Sequence, residues 1–382
     1  MLEKIKTTNL QNGMFVVCSA TGMGSLPPDL SNNFISSKED ITAILKLNIT
    51  EVLIDSSKCA APRNCFPQTS YSEEILFARE AYNSALGCIQ KMYETISRRG
   101  PLEISEYQKD VDPMLDSIER NSSASASLTV LARSDRYLFT HSLNTAILSA
   151  ILGRYMGLSR EFVKELSISA MLMNIGQVWL KQEIFSKNGK LSASEFDEIK
   201  QHPLSGQSYL TLQNGIPENI VRAVSEHHEK YDGSGYPNGL SGNSISKYAR
   251  IISICDAYDA MTADRPYREA LTPNMAIKHL YSMTNSSFHP RYIENFIKCV
   301  GIYPAGCFVK LSDGRYAVVV ENTPQAPLLP RVKIVFNSRF KAITPEYVDL
   351  SKQHDKSPYT GLEIVECIHP KTFRLELERF LW

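Results

Sequence analysis

The sequence predicts a mainly α-helical protein with a small α+β domain at its N-terminus and a small β-rich unit at its C-terminus. Three observations lead to this fold class. Through the middle of the 382-residue chain, apolar residues recur every three or four positions, which is the helical period. Short apolar runs near the N-terminus, and again after residue 304, have the length of strands. A hydrophobic content of 43% excludes a disordered chain.

Changes in these patterns divide the chain into four predicted segments. At about 100–200 residues per domain, the length itself suggests two or three domains. The segments are a small α+β N-terminal domain at 1–60, a linker with connecting helices at 61–121, a helical domain at 122–303 and a β-rich extension at 304–382.

The N-terminal domain is predicted to be a βαβ-like unit. Its strands are the apolar runs Gly13–Val17 and Glu51–Asp55. Between them, Ser36 followed by Glu39 matches a capping box, which predicts a helix that continues to Leu45.

The connecting segment contains a long predicted helix from Ser72 to about Arg99, ended by Gly100 and Pro101. Apolar residues at helical spacing form one stripe along it: Ile75, Tyr82, Leu86, Ile89, Tyr93 and Ile96. The stripe has two interpretations, since periodicity alone does not separate them. It is either a homodimer or signal-transmitting surface, within 72–99, or the face that packs onto the next domain.

The β-rich extension begins with a predicted hairpin. Phe308–Leu311 and Tyr316–Val320 are joined by a short turn containing Asp313 and Gly314, which is typical of a tight hairpin. Arg331–Phe336 is predicted to be a third strand.

Composition narrows the function. The 41 basic residues equal the 41 acidic ones, which argues against a nucleic-acid polymer or a membrane surface as the main partner. No run approaches the ~18 apolar residues of a membrane span, and the first residues lack the apolar core of a signal peptide. The eight cysteines form no CxxC pair, which is typical of reduced thiols. We therefore expect a cytoplasmic protein.

The helical segment holds a set of residues that suits a metal centre. Imidazoles and a carboxylate on inward helix faces can bind iron, manganese or zinc, and two such ions can hold a hydroxide for attack on a phosphate ester. The alternative is that each is a hydrogen-bonded core residue, or that the adjacent pair of histidines marks a helix C-terminus. The set is His141, His202, His227, His228 and Asp256.

These residues lie in longer motifs: HHEKYDGSGYPNGLSG at 227–242, HS at 141–142, HPLSG at 202–206, ARI at 249–251, CDAYDAMT at 255–262 and RPYR at 265–268. The motifs resemble those of HD-GYP proteins, a bacterial branch of the HD phosphohydrolases that cleave cyclic di-GMP. The resemblance spans roughly residues 130–300 and implies an HD-type helical bundle. Residues 1–60 also resemble the small domain often found ahead of such modules.

The chain departs from the family at its defining doublet. Where the family has a stretch like Leu-His-Asp-Ile-Gly-Lys, this sequence has LMNIGQ at 172–177. Met173 replaces the His, Asn174 the Asp that is implied to bridge two metals, and Gln177 the Lys. A thioether is a weak ligand for these ions, and an amide offers one neutral oxygen. We therefore expect no catalytic residues and no binuclear centre, with at most one weakly bound iron, manganese or zinc ion.

The residues expected to face a ligand are retained. Glycines permit close backbone approach, a tyrosine can stack on a base, and arginines bind phosphates. An alternative is that the same loop only caps helices and maintains the fold. The predicted ligand-binding residues are Asp232, Gly235, Tyr236, Pro237, Arg265 and Arg268.

Three functional hypotheses follow. The first is a degenerate regulatory module that binds cyclic di-GMP, or a partner such as a GGDEF-type signalling protein, without hydrolysis. The second is a residual metal-dependent cyclic di-GMP phosphodiesterase that recruits a new ligand, for which Tyr137, one turn before His141, is the candidate. The third is a scaffold that acts through the long helix and the terminal domains.

Overall fold

The computed structural model describes the chain except at residues 1, 11–13, 22–25, 27–29, 32, 36–37, 56–68, 132–136, 182, 185–186, 188, 190–191, 264–268, 324–325, 353–358, 360, 374–376 and 381–382. The predicted helix cap Ser36 and the predicted phosphate-binding Arg265 and Arg268 lie outside the described residues. The chain divides into two compact units. Met1–Phe66 with Gly153–Val163 form one, and Pro67–Leu152 with Lys164–Trp382 form the other.

The N-terminal unit is built on an antiparallel sheet. Its elements are β1 (Leu2–Lys6), β2 (Phe15–Thr21), β3 (Asn33–Phe34), α1 (Lys38–Lys46) and β4 (Glu51–Asp55), and the strand order is β1-β4-β2-β3. The predicted βαβ-like arrangement is wrong in strand direction, because β2 and β4 pair antiparallel. The reason is β3, which the sequence did not reveal. It reverses the chain before α1, so that β4 runs opposite to β2.

The long helix predicted after the linker is present as α2 (Tyr71–Ser97), and α3 (Ile104–Leu131) follows it. A capping box between Ser70 and Glu73 starts α2, one residue before the predicted start. α3 bends at Asn121, whose backbone is not helical (φ −156°, ψ 98°).

The apolar stripe of α2 is buried within the second unit, apart from the half-buried Leu86. This favours the interpretation that the stripe packs onto the next domain. Leu76 and Phe77 remain exposed on the same helix, at 48% and 59%. The homodimer through 72–99 stays a prediction, and it would have to use such exposed side chains.

The predicted helical bundle is confirmed. The helix at Tyr137–Tyr155 is buried along most of its length and contributes much of the core, and a 3-10 turn at Ile175–Trp179 follows the helix at Arg160–Leu172. The helices are α4 (Tyr137–Tyr155), α5 (Arg160–Leu172), α6 (Ala193–Ile199), α7 (His202–Thr211), α8 (Glu218–Glu226), α9 (Lys247–Thr262), α10 (Pro273–Ser282) and α11 (Pro290–Val300). None of the described helices is long and apolar enough to cross a lipid bilayer.

The C-terminal sheet contains the three predicted strands and two more. The strands are β5 (Phe308–Leu311), β6 (Tyr316–Glu321), β7 (Arg331–Phe336), β8 (Ala342–Asp349) and β9 (Ile364–Ile368), in the order β8-β7-β6-β5-β9. The predicted hairpin pairs β5 with β6 around Gly314, which has a positive φ of 87°. The strand β8 escapes pattern reading because most of its side chains are exposed, so no buried face alternates along it.

Candidate metal and ligand site

Three imidazoles gather where α7 begins and α8 ends. We call His202, His227 and His228 the imidazole cluster, and one ligand atom from each lies within 4.8 Å of the other two. His202 is the first residue of α7, and His227 caps the C-terminus of α8. All three were predicted from the sequence.

Two glycines allow the elements around the imidazole cluster to approach closely. A Cβ on Gly176 would overlap the carbonyl oxygen of His202, so only glycine lets the turn at 175–179 pass the start of α7. A Cβ on Gly206 would lie 2.9 Å from Cγ1 of Val224, which keeps α7 close to α8. The glycines of the motifs therefore position the histidines.

The ring nitrogens of this cluster have defined roles. The Nδ1 atoms of His202 and His227 each lie 2.8 Å from a backbone carbonyl, those of Ile199 and Val224 respectively. A carbonyl only accepts, so both Nδ1 atoms carry protons and both Nε2 atoms present lone pairs. These two Nε2 atoms lie 3.2 Å apart.

Two facing lone pairs repel each other unless a cation lies between or beside them. With metal–nitrogen bonds of about 2.0–2.1 Å, two adjacent imidazole ligands of one ion are about 2.9–3.4 Å apart. The observed 3.2 Å separation fits that range. The described residues therefore fit one cation at the imidazole cluster.

Protonation does not relieve this repulsion at neutral pH. Burial, with the charge of His227 as a second cause, lowers the pKa of His202 to about 3. Burial also lowers the pKa of His227, and it holds the pKa of His228 well below its ordinary value. All three rings are then neutral near pH 7, the state in which imidazole binds metals.

A carboxylate pair surrounds the fourth histidine. The Nε2 atom of His141 lies 2.8 Å from Oδ1 of Asp256, and its Nδ1 lies 2.7 Å from Oδ2 of Asp259. Burial opposes the charged form, but the two carboxylates outweigh it and raise the pKa of His141 to about 9. Burial likewise opposes ionisation of Asp256, and His141 holds the pKa of that carboxyl below its usual range.

Asp256 connects this pair to the imidazole cluster, because its second oxygen lies 3.9 Å from Nδ1 of His228. The structure thus brings together all five predicted metal-ligand candidates, with one qualification. His141 already uses both ring nitrogens on carboxylates, so the three clustered imidazoles and Asp256 are the groups left to face a cation.

Sequence reasoning missed the support behind His141. The amide nitrogen of Asn144 donates to Oδ1 of Asp259 at 2.9 Å, and the Tyr82 hydroxyl donates to Oδ1 of Asn144 at 3.0 Å. Asn144 and Asp259 stand three residues after His141 and Asp256 on their helices, so helical spacing was an available signal. No local signal connects Tyr82 to them, since it is 62 residues away from Asn144.

The substituted doublet is buried and neutral. Met173 is fully buried, and Asn174 is only 3% exposed. The amide nitrogen of Gln177 donates to Oδ1 of Asn174 at 2.6 Å. Asn174 and Gln177, the predicted replacements for an Asp and a Lys, are therefore hydrogen-bonded to each other, and one lone pair of the Asn174 side-chain oxygen is already in use.

This donor set does not fit a second cation. To bridge two metal ions, residue 174 would need the two oxygens and the charge of a carboxylate. An amide offers one neutral oxygen. Met173 offers a thioether, which is a poor ligand for iron, manganese or zinc beside oxygen and nitrogen donors.

The loop that follows His228 is fixed against the cluster. Glu229 is 3% exposed, and its carboxylate accepts from the backbone N–H groups of Asn238 at 2.6 Å and Leu240 at 3.0 Å. The ring of Tyr236 lies 4.9 Å from that of His228, between ring centres. Glu229 was not among the predicted residues, although it stands inside the quoted motif.

The remaining predicted loop residues have structural partners. The carboxylate of Asp232 accepts from the backbone of Ser234 at 2.8 Å. A Cβ on Gly235 would overlap the backbone of Lys230. Pro237 is partly buried. Of the described loop residues, Tyr236 is the one whose ring contacts the imidazole cluster.

The candidate recruit Tyr137 lies directly beside His141. Their rings stack at 5.1 Å, with 11° between the planes. Tyr137 thus covers one face of an imidazole whose two nitrogens point at carboxylates.

Comparison with known proteins gives three family matches. A family described as an HD domain matches residues 122–291, one described as a KOW domain associated with HD domain matches 308–375, and a domain of unknown function (DUF3391) matches 2–107. The described strands β5 to β9 lie within the second of these.

Curated relatives extend the likeness to nearly the whole chain. A protein of Pseudomonas aeruginosa named as a cyclic di-GMP phosphodiesterase is 31% identical, over 96% of this chain and 93% of its own. One of Borreliella burgdorferi with the same activity in its name is 30% identical, over 54% of each chain. A solved structure titled as an HDG"Y"P protein from Bdellovibrio bacteriovorus has 15% identity and a TM-score of 0.50, covering 78% of this chain and 98% of that one.

Proposed function

The chain belongs to the HD-GYP family of HD-domain proteins, and on that basis we propose that it is a cyclic di-GMP signalling protein whose degenerate domain binds the nucleotide without hydrolysing it. Its relatives are named for cleaving cyclic di-GMP. In this proposal the chain binds cyclic di-GMP, as these relatives do, but does not hydrolyse it.

One observation carries the proposal: the hydrogen bond between Gln177 and Asn174 at the position of the family's metal-bridging carboxylate. The amide oxygen is neutral and already accepts a bond, so it cannot share charge between two ions. Loss of an outer partner alone typically lowers metal affinity or activity by about 10–100-fold. Here two inner ligands are replaced.

A single cation remains part of the proposal. His202, His227 and His228 would hold it, with Asp256 nearby to balance its charge. Such an ion acts as a Lewis acid that attracts a phosphate oxygen. The protein's own residues shape the rest of the site, since Glu229 fixes the loop and the loop places Tyr236 against His228.

Cyclic di-GMP suits this arrangement chemically. It presents two guanine faces and two phosphates. The partly exposed ring of Tyr236 can stack on a base, and a cation at the imidazole cluster can attract a phosphate. Arg265 and Arg268, in the motif after α9, remain our predicted phosphate ligands.

The test is calorimetry with cyclic di-GMP and Mn²⁺, followed by chromatography of the mixture. We expect saturable binding and no linear pGpG. Tyr236→Ala should weaken binding about 5- to 150-fold, because base–aromatic stacking contributes about 1–3 kcal/mol. Tyr281→Ala is the control, since Tyr281 is 60% exposed on α10, and it should bind like wild type.

Each result decides between the hypotheses. No heat at millimolar cyclic di-GMP would overturn the nucleotide version and leave a protein partner, such as a GGDEF-type protein, or a scaffold. Steady formation of pGpG that His227→Ala abolishes would overturn the non-catalytic version. It would favour the residual phosphodiesterase, a second candidate supported by the facing Nε2 atoms of His202 and His227.

A further inference from the structure

A continuous hydrogen-bonded network connects the connecting helix α2 to the proposed cation site. We infer that Tyr82 and Asn144 are positioning residues, which set the orientation of Asp256 and couple α2 to cation binding. The inference rests on the proposed function, since it concerns the single cation at the imidazole cluster. We call the connected residues the Tyr82–Asp256 network: Tyr82, Asn144, Asp259, His141 and Asp256.

The first two bonds fix the direction of the amide. The Tyr82 hydroxyl donates to Oδ1 of Asn144 at 3.0 Å. Because that oxygen is held, the amide nitrogen points the other way, where it donates to Oδ1 of Asp259 at 2.9 Å and to the carbonyl of Thr129 at 3.3 Å. An amide turned by half a rotation would place its oxygen against the carboxylate of Asp259.

The next two bonds fix the imidazole and the second carboxylate. Asp259 uses its other oxygen on Nδ1 of His141, at 2.7 Å. The ring of His141 is thereby oriented with Nε2 toward Oδ1 of Asp256, at 2.8 Å. The free oxygen of Asp256 then faces His228 at 3.9 Å. Each bond thus constrains the next, from α2 to the cluster.

Burial makes this constraint effective. Tyr82 is 7% exposed, Asn144 and His141 are each 4% exposed, and Asp259 is 3% exposed. In such surroundings a polar atom that loses its partner finds little water to replace it, which costs about 1–3 kcal/mol per group. The network therefore has a strong preference for one arrangement.

Because Tyr82 lies on α2, a movement of this helix would change cation binding through the network. α2 is the first described helix of the second unit in chain order, and its Tyr82 begins the network. A shift of α2 that withdraws the Tyr82 hydroxyl would release Asn144 and, through it, Asp256. By thermodynamic reciprocity, a cation that needs Asp256 in place must also stabilise α2.

Tyr71 of the same helix offers a matched control. Its hydroxyl is also buried and donates to Oγ of Ser127 on α3 at 2.9 Å. That bond ends at a serine and reaches no carboxylate of the site. Tyr71→Phe and Tyr82→Phe therefore remove the same group from the same helix, and both should lower thermal stability.

The experiment measures Mn²⁺ affinity of the full chain by competition with a fluorescent chelator. Tyr82→Phe should weaken binding about 10-fold, the lower end of the usual effect of outer partners, and Tyr71→Phe should bind like wild type. Asn144→Ser, which removes the amide that bonds to Asp259, should weaken binding at least as much as Tyr82→Phe. Hydrogen exchange supplies the second readout: Mn²⁺ should slow exchange around Tyr82 in wild type and not in Tyr82→Phe.

The contrary results are distinct. Equal Mn²⁺ affinity in wild type and Tyr82→Phe would overturn the coupling and leave the proposed function intact. An equal loss in Tyr82→Phe and Tyr71→Phe would also overturn it, because packing of α2 would then explain both. A wild-type chain that binds no Mn²⁺ would remove the cation site and this inference with it, whereas binding of cyclic di-GMP is decided separately by the calorimetry above.

Discussion

At residue 174, an amide in place of a carboxylate removes one acceptor oxygen and one negative charge without changing the size of the side chain. The remaining oxygen accepts a hydrogen bond from the side-chain amide of Gln177 at 2.6 Å, so the Asn174 side chain has a hydrogen-bond partner within the fold. Met173 beside it is fully buried and needs no polar partner. The side chains of Asn174 and Gln177 thus satisfy each other without any charge.

Restoring the family residues should restore the chemistry. In the triple variant Met173→His, Asn174→Asp, Gln177→Lys, we expect Mn²⁺-dependent cleavage of cyclic di-GMP to pGpG, measured by chromatography, where wild type gives none. The reason is that the variant regains two inner ligands and a charge that two ions can share.

The control for this variant adds His227→Ala, which removes a ligand of the imidazole cluster and should abolish any gained turnover. A folded triple variant that binds Mn²⁺ but stays inactive would contradict the view that these three residues alone separate this chain from its relatives named as cyclic di-GMP phosphodiesterases.

The sequence predicted the clustered histidines because their motif is local: His227 and His228 are adjacent, and HPLSG marks His202. It did not predict that His141 would use both nitrogens on carboxylates, or that Tyr82 stands behind it. Those contacts join residues 62 to 118 positions apart, and only the packed helices bring them together.

At the scale of elements, the site depends on how closely the turn at 175–179 approaches α7. Gly176 has no space for a side chain, because a Cβ would overlap the carbonyl of His202. Pro203 occupies the first turn of α7, where its missing N–H costs nothing. The close approach explains why position 176 holds a glycine.

Gly176→Ala should therefore displace His202. We expect a loss of about 3 kcal/mol in the free energy of unfolding, measured with urea, at the upper end of typical overpacking costs. Mn²⁺ affinity should fall as well, since the backbone that moves belongs to a ligand.

Gly87→Ala is the matched control for that substitution. Gly87 lies inside α2, and a Cβ added there would meet nothing within 4 Å, so alanine should stabilise the chain by about 0.5–1 kcal/mol through helix propensity. A neutral Gly176→Ala would contradict the close packing of the turn on α7.

Periodicity predicted α2 well, because its buried stripe is long and regular. The two-residue strand β3 gave no such signal, so the predicted direction of β4 relative to β2 was wrong. Short helices such as α6 and α8, of seven and nine residues, were predicted only as parts of a bundle, since two turns establish little periodicity.

At the scale of the molecule, the bend in α3 joins three parts of the second unit. The amide nitrogen of Asn121 donates to the carbonyl of Thr69, before α2, and to Glu321 on β6, at 3.0 and 3.1 Å. Its side-chain oxygen accepts from the backbone N–H of Ser123 at 3.1 Å and caps the second half of α3. One buried side chain thus connects the segment before α2, the helix α3 and the C-terminal sheet.

Asn121→Ala should lower the free energy of unfolding by about 2 kcal/mol, because it removes a helix cap and leaves buried partners unpaired. Urea denaturation followed by circular dichroism measures the change. Asn83→Ala, at an exposed position of α2, is the control and should be neutral. A loss below about 0.5 kcal/mol for Asn121→Ala, the size of an ordinary surface substitution, would contradict this connecting role.

Whether the site has lost its second metal is decided by the number of manganese ions per chain, determined by elemental analysis after the purified protein is loaded with Mn²⁺ and desalted. We predict one ion or fewer, because the imidazole cluster can hold one and Asn174 cannot share a second. Two tightly held ions per chain would contradict the loss of the binuclear centre.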